Sequence, residues 1–181
     1  PLPPYLNVLN TINSIDPRKD VDGLTLINMG KLIYNSFNKD GGLFPCTPLG
    51  ILELLKKYEI EVSGKEVLIV GRSNIVGKPL ALMMLYLNAT YNLNEISMKS
   101  DIIISAAGVP SLIKKEMIKD RCVVIDVGIT KLDNKIVGDV DFEDVKDKCS
   151  FITPVPGGVG PMTVTMLMNN TLKAYKYREG K

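Results

Sequence analysis

The chain has 181 residues, 45% of them hydrophobic, and a mean hydropathy of +0.12, which indicates a globular protein with a buried core and excludes a disordered one. Its formal net charge is +2, and its lysines are spread among acidic residues without forming a basic patch, so we expect no nucleic-acid binding. No apolar run reaches about 18 residues and no signal-like leader opens the chain, so we predict no membrane span.

The cysteines Cys46, Cys122 and Cys149 are scattered, and the chain contains no histidine. Without a C-x-x-C pair or a histidine, a zinc site has no support, and an odd cysteine count provides no disulfide framework. We therefore predict reduced thiols, no metal and a reducing compartment. The cytoplasm is the expected location, with the mitochondrion as the alternative, because the opening Pro1-Leu2-Pro3-Pro4 is not typical of a natural amino terminus.

The first part of the chain is predicted to hold two short helices separated by an acidic turn. Apolar residues recur at helical spacing from Leu6 to Ile15, and Asp16-Pro17 ends that pattern. Met29–Phe37 is the second predicted helix. The turn Lys19-Asp-Val-Asp-Gly-Leu24 carries two carboxylates two positions apart, which an extended backbone would place on one side. This stretch alone leaves a solvated turn and a binding site open and favours the turn.

A longer helix is predicted next. Thr47 is a suitable N-cap, with Pro48 as the first helical residue. The residues from Ile51 to Tyr58 then form an apolar stripe at positions i, i+3, i+4 and i+7, which is typical of an amphipathic helix.

Residues 65–85 are the stretch around which the chain is expected to be organised. An apolar β-branched strand runs into Gly71, and Gly77 precedes a helix-forming apolar run with Pro79 in its first turn. This arrangement is typical of a nucleotide-binding unit whose free N–H groups face an anion. The pattern G-x-S-x-x-x-G matches neither G-x-G-x-x-G nor a Walker loop. Arg72 favours phosphate binding over an ordinary βα turn.

The remaining predicted elements are buried strands at Asp101–Ala107 and Cys122–Val127 with a helix at Ser111–Lys119 between them, a short strand at Lys135–Val137, a last strand at Ser150–Pro156, and a helix from about Met162 to Tyr177. Continuous apolar strands that alternate with helices predict an α/β fold with a parallel sheet covered on both faces.

One element of such a unit is missing. A strand should follow the helix that ends near Asn88, with a ribose- or phosphate-reading residue about 20 positions after the first glycine. Only Ala89–Asn94 and a short helical segment, Glu95–Met98, lie there, which is too little chain for a strand, a loop and a helix.

Four motifs occur in order: Lys19-Asp-Val-Asp-Gly23, Pro45-Cys-Thr-Pro-Leu-Gly50, Val70-Gly-Arg-Ser-Asn-Ile-Val-Gly77 and Thr153-Pro-Val-Pro-Gly-Gly-Val-Gly-Pro-Met-Thr163. Together they closely resemble the bifunctional methylenetetrahydrofolate dehydrogenase/methenyltetrahydrofolate cyclohydrolase family. The resemblance extends over essentially the whole chain, which corresponds to about the last two thirds of a family member.

The resemblance implies a Rossmann-like, parallel-sheet NADP domain at residues 47–161. Residues 1–46 and 162–181 would be the remnant of an α/β catalytic domain that binds tetrahydrofolate. A homodimer is also implied.

The resemblance also implies roles for single residues. Asp22 would accept hydrogen bonds from the amino-pyrimidinone edge of the folate, which suits a carboxylate facing paired N–H donors. Arg72 would face the adenosine 2′-phosphate and Ile129 the nicotinamide. The implied folate-side residues are Asp22, Pro156, Gly157, Gly158, Val159 and Gly160. The implied cofactor-side residues are Gly71, Arg72, Ser73, Thr47 and Ile129.

Two departures from the family pattern stand out. The catalytic lysine of the family is expected upstream of Pro1, and neither Lys19 in the acidic turn nor Lys31 in a predicted helix matches it. The short strand and loop that complete the 2′-phosphate pocket are missing between Asn88 and Tyr91.

The implied activity is NADP-dependent oxidation of methylenetetrahydrofolate to methenyltetrahydrofolate, followed by hydrolysis to formyltetrahydrofolate. The first alternative is a dehydrogenase without cyclohydrolase activity. The second is a non-catalytic nucleotide-binding or dimerisation remnant, against which the retained acidic turn and the complete proline-glycine motif argue.

Overall fold

The computed structural model describes residues 3–34, 42–89, 98–133 and 135–179. In chain order its elements are α1 (Val8–Asn13), α2 (Leu26–Ile33), α3 (Cys46–Lys57), β1 (Val67–Val70), α4 (Gly77–Tyr86), β2 (Ile102–Ser105), β3 (Cys122–Asp126), β4 (Thr130–Leu132), β5 (Lys135–Val137), α5 (Phe142–Val145), β6 (Cys149–Ile152) and α6 (Val159–Arg178).

The central feature is a parallel sheet with the strand order β1-β2-β3-β6. Every residue of β2 and of β3 is buried, as expected for strands covered on both faces. This confirms the predicted α/β fold. Residues 90–97, which include most of the predicted segment Glu95–Met98, lie outside the described residues.

Alternate residues of the strands supply two separate cores. Ile102 and Ile104 of β2 face the side covered by α3 and α4, where Ile51 and Leu80 are completely buried. Ile103 faces the other side. There it packs in a cluster completed by Ile113, Ile118, Cys122, Val124, Val140 and Val145. The two-residue period of a strand therefore places adjacent apolar side chains in different cores.

The predicted helix at Ser111–Lys119 is wrong. The structure has there only a single 3₁₀ turn, Lys115–Met117. Ile113 instead forms a β-bridge with Val140, and its N–H donates to the carbonyl oxygen of Asp139 at 3.0 Å. Hydrogen bonds to a distant segment thus override the local helical pattern.

The amino-terminal helices are present, with some different limits. The first predicted helix is confirmed as α1. Helix α2 begins at Leu26, three residues before the predicted start, because the Thr25 side chain caps it, and it ends at Ile33. Helix α3 begins at Cys46 with Pro45 at the N-cap position, so Thr47 is not the N-cap.

The carboxy-terminal strand is shorter and the last helix longer than predicted. Strand β6 ends at Ile152, before Pro154 and Pro156, which have no N–H for the ladder. Helix α6 begins at Val159, which brings Pro161 into its first turn, where proline is tolerated. The predicted strand at Lys135–Val137 is confirmed and pairs antiparallel with β4, which was not predicted.

Within the described ranges, no helix combines the length and the apolar character that a membrane crossing requires.

Candidate functional site

The loops that follow the parallel strands meet along one edge of the sheet. Gly71–Val76 follows β1, Ala106–Pro110 follows β2, Val127–Ile129 follows β3 and Thr153–Gly158 follows β6. In open α/β sheets, ligands bind in the crevice outside the carboxyl ends of the strands. The candidate site therefore lies at this edge.

The loop after β1 leaves no room for side chains at its two glycines. Gly71 has φ +141°, and a Cβ atom there would lie 2.5 Å from the carbonyl oxygen of Ala106. A Cβ atom on Gly77 would lie 2.4 Å from the carbonyl oxygen of Gly71. The two glycines thus bring strand, loop and helix into backbone contact.

Arg72 and Ser73 have different surroundings within that loop. The Ser73 hydroxyl accepts hydrogen bonds from the N–H groups of Val76 at 3.1 Å and Gly77 at 3.3 Å, so it shapes the start of α4. Arg72 is exposed. Its guanidinium is therefore accessible to an anion at the mouth of the loop.

A buried carboxylate that the sequence interpretation missed organises the next loop. Asp139 is completely buried and lies about 30 residues away in sequence from the loop it holds. Its carboxylate accepts hydrogen bonds from the N–H groups of Ala107 at 2.7 Å, Gly108 at 3.2 Å and Val109 at 2.9 Å, and from the Ser105 hydroxyl at 3.0 Å. Asp139 therefore determines the path of the loop after β2.

A second buried carboxylate, Asp126, performs the same task for the loop after β3. It accepts hydrogen bonds from the N–H groups of Gly128 at 3.0 Å, Asp139 at 2.9 Å and Val140 at 2.9 Å. Burial raises the pKa of the Asp126 carboxyl, and the three N–H donors oppose that rise. A Cβ atom on Gly138 would lie 1.9 Å from this carboxylate. The sequence signal for both aspartates was an acid at a strand end and a Gly-Asp pair.

A cavity of about 210 Å³ lies beside these loops. It is lined by residues 126–129, Ile136 and residues 154–161. It brings Ile129, whose side chain is 66% exposed, together with the predicted folate-side residues Pro156, Gly157, Gly158, Val159 and Gly160. The Val155–Pro156 peptide bond is cis. Neither Asp22 nor Thr47 lines this cavity.

The two carboxylates of the acidic turn, Asp20 and Asp22, have different surroundings. Asp20 is buried and accepts hydrogen bonds from the N–H groups of Leu24 at 3.1 Å and Thr25 at 2.7 Å and from the Asn28 amide at 3.0 Å. It is therefore a structural residue of the turn. Asp22 is exposed, so it is the carboxylate that a ligand can reach.

The surroundings of Asp22 involve the start of α3. Partial burial raises the pKa of the Asp22 carboxyl, and hydrogen bonds from the thiol and the main-chain N–H of Cys46 act in the opposite direction. The hydroxyls of Thr47 and Thr163 lie 3.0 Å apart, which ties α3 to α6. The predicted cofactor contact of Thr47 stays a prediction.

Among the described residues, no group of three or more His, Cys, Asp or Glu side chains could hold a metal ion. Cys46 and Cys122 are buried, Cys149 is half-buried, and all three are free thiols, as predicted.

Comparison with protein-family models gives one match that covers most of the chain. The tetrahydrofolate dehydrogenase/cyclohydrolase, NAD(P)-binding domain family matches residues 45–179. The match begins just before α3 and includes all four strands of the parallel sheet and all of α6.

Curated proteins of similar sequence agree with that match. A bifunctional protein FolD from Aquifex aeolicus is 57% identical over 184 residues, which cover 97% of this chain and 62% of that protein. A bifunctional protein FolD from Campylobacter concisus is 50% identical over 190 residues, covering 100% of this chain and 66% of that protein. The chain thus spans somewhat less than two thirds of the length of these relatives.

Solved structures show the same similarity. The bifunctional enzyme FolD, a methylenetetrahydrofolate dehydrogenase/cyclohydrolase from Campylobacter jejuni, matches with a TM-score of 0.92 and 47% identity over 98% of this chain and 65% of that one. A methylenetetrahydrofolate dehydrogenase-cyclohydrolase from Trypanosoma brucei, solved with NADP cofactor and an inhibitor, matches with a TM-score of 0.91 and 38% identity over 98% of this chain and 65% of that one.

Proposed function

Because this chain belongs to the tetrahydrofolate dehydrogenase/cyclohydrolase family, we propose that it serves in the NADP-dependent oxidation of methylenetetrahydrofolate to methenyltetrahydrofolate and in the hydrolysis of that product to formyltetrahydrofolate. The observation that carries the proposal is one cavity shared by Ile129 and residues 156–160, at the same edge of the sheet as the glycine loop after β1.

The cofactor side of the proposal rests on the loop after β1. Gly71 and Gly77 bring the strand, the loop and α4 into main-chain contact, because a Cβ atom on either glycine would lie within 2.5 Å of a carbonyl oxygen. The start of α4 beside this loop suits a pyrophosphate. Arg72 would hold the 2′-phosphate of NADP, Ser73 would line the loop, and Ile129 would contact the nicotinamide. NADP, when bound, supplies the hydride acceptor. The chain's own task is to hold the two flat ligands face to face and to exclude water.

The substrate side rests on Asp22 and on the proline-glycine segment. The exposed Asp22 carboxylate would accept two hydrogen bonds from the amino-pyrimidinone edge of the folate. Pro156, Gly157 and Gly158 would pass close to the pterin, because glycine lets the backbone approach a ligand. Hydrolysis also needs a group that moves a proton, and the family resemblance assigns that task to a lysine upstream of Pro1.

The domain limits are proposed on the same basis. Residues 47–161 would form the cofactor domain, and residues 1–46 and 162–181 would belong with the folate-binding domain. In support, Asn170 of α6 donates hydrogen bonds to the carbonyl oxygens of Val21 and Phe44, so the last helix is attached to the amino-terminal part of the chain.

We also propose that the protein is a cytoplasmic homodimer. Phe151 on the edge strand β6 and Tyr58, directly after α3, are both exposed, and their ring centroids lie 5.8 Å apart, which provides an apolar patch for a second copy. Sedimentation equilibrium of Phe151→Glu would test this. A dimer that persists unchanged in this variant would exclude the patch. The free thiols support a reducing compartment.

The deciding experiment for the function is folate binding by Asp22→Asn, measured by titration calorimetry with tetrahydrofolate. Loss of a charge-assisted hydrogen bond costs about 1.5–3 kcal/mol, so affinity should fall roughly 10-fold or more. Asp120→Asn is the matched control, because the Asp120 side chain is 90% exposed and lies outside the lining of the cavity. An Asp22→Asn protein that folds and binds folate as tightly as the wild type would refute the proposal.

A further inference from the structure

Asn170 joins three parts of the molecule that are far apart in sequence. Its side chain is completely buried on α6. The amide nitrogen donates to the carbonyl oxygen of Val21 at 2.9 Å and to that of Phe44 at 2.8 Å. Both partners are carbonyl oxygens, which can only accept hydrogen bonds. The side-chain amide is therefore oriented with its nitrogen, not its oxygen, toward them. The residue before Asp22 and the residue before Pro45 are thereby attached to the same helix.

The oxygen of the Asn170 side chain indicates that the two hydrogen bonds donated by its nitrogen are essential at this position. Its Oδ1 atom is buried and has no hydrogen-bond partner among the residues that the structure describes. An unpaired buried acceptor destabilises a fold. A leucine of similar size would avoid that cost but would remove the amide donor from the carbonyl groups of Val21 and Phe44. The site therefore favours the amide for its N–H groups.

Cys46 lies between Asn170 and Asp22. Its Sγ atom is 3.5 Å from the Asn170 amide nitrogen and 3.4 Å from the Val21 carbonyl oxygen. The thiol thus donates to the carbonyl oxygen of the residue before Asp22. The thiol and the main-chain N–H of Cys46 also lower the pKa of the Asp22 carboxyl, which places both groups beside it. Burial and the neighbouring Asp22 charge raise the pKa of this thiol to about 12, so it stays protonated and keeps its hydrogen-bond donor near neutral pH.

From these contacts we propose that Cys46 and Asn170 are positioning residues that hold the Asp22 carboxylate in its ligand-binding orientation. Asn170 holds the backbone at Val21 and Phe44. Cys46 donates to the carbonyl oxygen of Val21, next to Asp22 in the chain, and keeps its thiol and N–H beside the carboxylate. The inference rests on the proposed role of Asp22 as folate anchor. A carboxylate that is already oriented loses less conformational freedom on binding, so the two residues act on folate affinity and leave NADP affinity unaffected.

The first test needs no ligand. In Cys46→Ala the thiol donor is lost, so the pKa of Asp22, followed by carboxyl NMR titration, should rise relative to the wild type. Cys46→Ser keeps a donor and should restore the wild-type value. Cys122→Ala, a second buried cysteine in β3, is the matched control and should leave Asp22 unchanged. An Asp22 titration that is identical in Cys46→Ala and in the wild type would overturn the inference.

The second test measures dissociation constants for tetrahydrofolate and NADP. Loss of one ordinary hydrogen bond predicts about 3- to 10-fold weaker folate binding by Cys46→Ala, with rescue by Cys46→Ser. Asn170→Leu should weaken folate binding at least as much, and NADP binding should stay within about twofold in every variant. Equal weakening of both ligands would show a merely structural role and overturn the inference.

The two proposals fail in different ways. If Asp22→Asn binds folate normally, the proposed function fails, whereas the NMR test still decides whether Cys46 orients Asp22. If Asp22→Asn loses folate binding while Cys46→Ala and Asn170→Leu keep it, only the positioning role is refuted. If Asn170→Leu does not fold, the Cys46→Ala and Cys46→Ser pair decides.

Discussion

Gly77 lies in direct backbone contact with Gly71: a Cβ atom added to Gly77 would lie 2.4 Å from the Gly71 carbonyl oxygen and 3.0 Å from the nitrogen of Arg72. These neighbours are main-chain atoms, which cannot rotate away as the end of a flexible side chain can. The first turn of α4 therefore approaches the loop as closely as it does only because residue 77 has no side chain.

We predict that Gly77→Ala pushes α4 away from the loop. Overpacking of this kind typically costs about 1–3 kcal/mol of stability, and NADP affinity should fall because the loop N–H groups move. Urea denaturation and NADP titration measure the two effects. Gly30→Ala in α2 is the control, because nothing lies within 4 Å of the added Cβ atom and alanine favours a helix. If Gly77→Ala bound NADP as tightly as the wild type, the close contact between residue 77 and the loop would not be needed for NADP binding.

The second prediction concerns cofactor choice. Arg72→Ala should weaken NADP binding roughly 10-fold or more, because a charge-assisted bond to a phosphate contributes about 1.5–3 kcal/mol. NAD has no 2′-phosphate, so its affinity should change little and serves as the internal control. Lys65→Ala, which removes an exposed cation before β1, should affect neither. Equal losses of NADP and NAD affinity would show that Arg72 does not bind the 2′-phosphate.

The third prediction concerns Asp139, whose carboxylate holds three main-chain N–H groups and one hydroxyl. Asp139→Ala leaves these buried donors without a partner, which should lower the free energy of unfolding by about 3 kcal/mol or more. Hydrogen exchange should quicken at Ala107, Gly108 and Val109. The exposed Asp133 of the neighbouring hairpin supplies the control Asp133→Asn. Unchanged protection of those amides would show that Asp139 does not hold the loop.

The fourth prediction concerns alkaline pH. Burial raises the pKa of Cys46 and of Cys122 from 9.0 to about 12 and that of Cys149 to about 11. The folded state thus holds the thiol protons more tightly than the unfolded state. The unfolded chain ionises first as pH rises through about 9, so stability should fall above that value, by up to about 1.4 kcal/mol per pH unit for each buried thiol.

Urea unfolding at pH 8 and at pH 10 measures this slope. Cys46→Ala removes one ionising thiol and should make the loss of stability with pH smaller. Iodoacetamide should label the folded protein slowly at pH 8 and the unfolded protein rapidly. Rapid labelling of Cys46 in the folded protein would show that its thiol is not held protonated.

Local pattern was sufficient for the framework of the fold. The apolar, mostly β-branched runs predicted the strands β1, β2 and β3, of which β2 and β3 are completely buried and β1 is partly buried. The glycines at 71 and 77 marked the turn between β1 and α4 before any contact was known. The proline-glycine segment and the Asp-Gly turn were equally visible, because conformation at these positions is dictated by the residue itself. The domain limits proposed from the sequence remain a prediction.

Tertiary contacts determined the features that local pattern did not predict, because the residues that make those contacts are distant in sequence. Only the folded chain distinguishes the buried Asp20 from the exposed Asp22, turns the expected helix at Ser111–Lys119 into a bridge with Val140, and brings Asp139 under a loop about 30 residues away. Asn170 donates a hydrogen bond to Val21, which lies 149 positions earlier in the chain. A sequence pattern reports which groups need a partner when buried, whereas the identity of that partner depends on which segments the fold brings together.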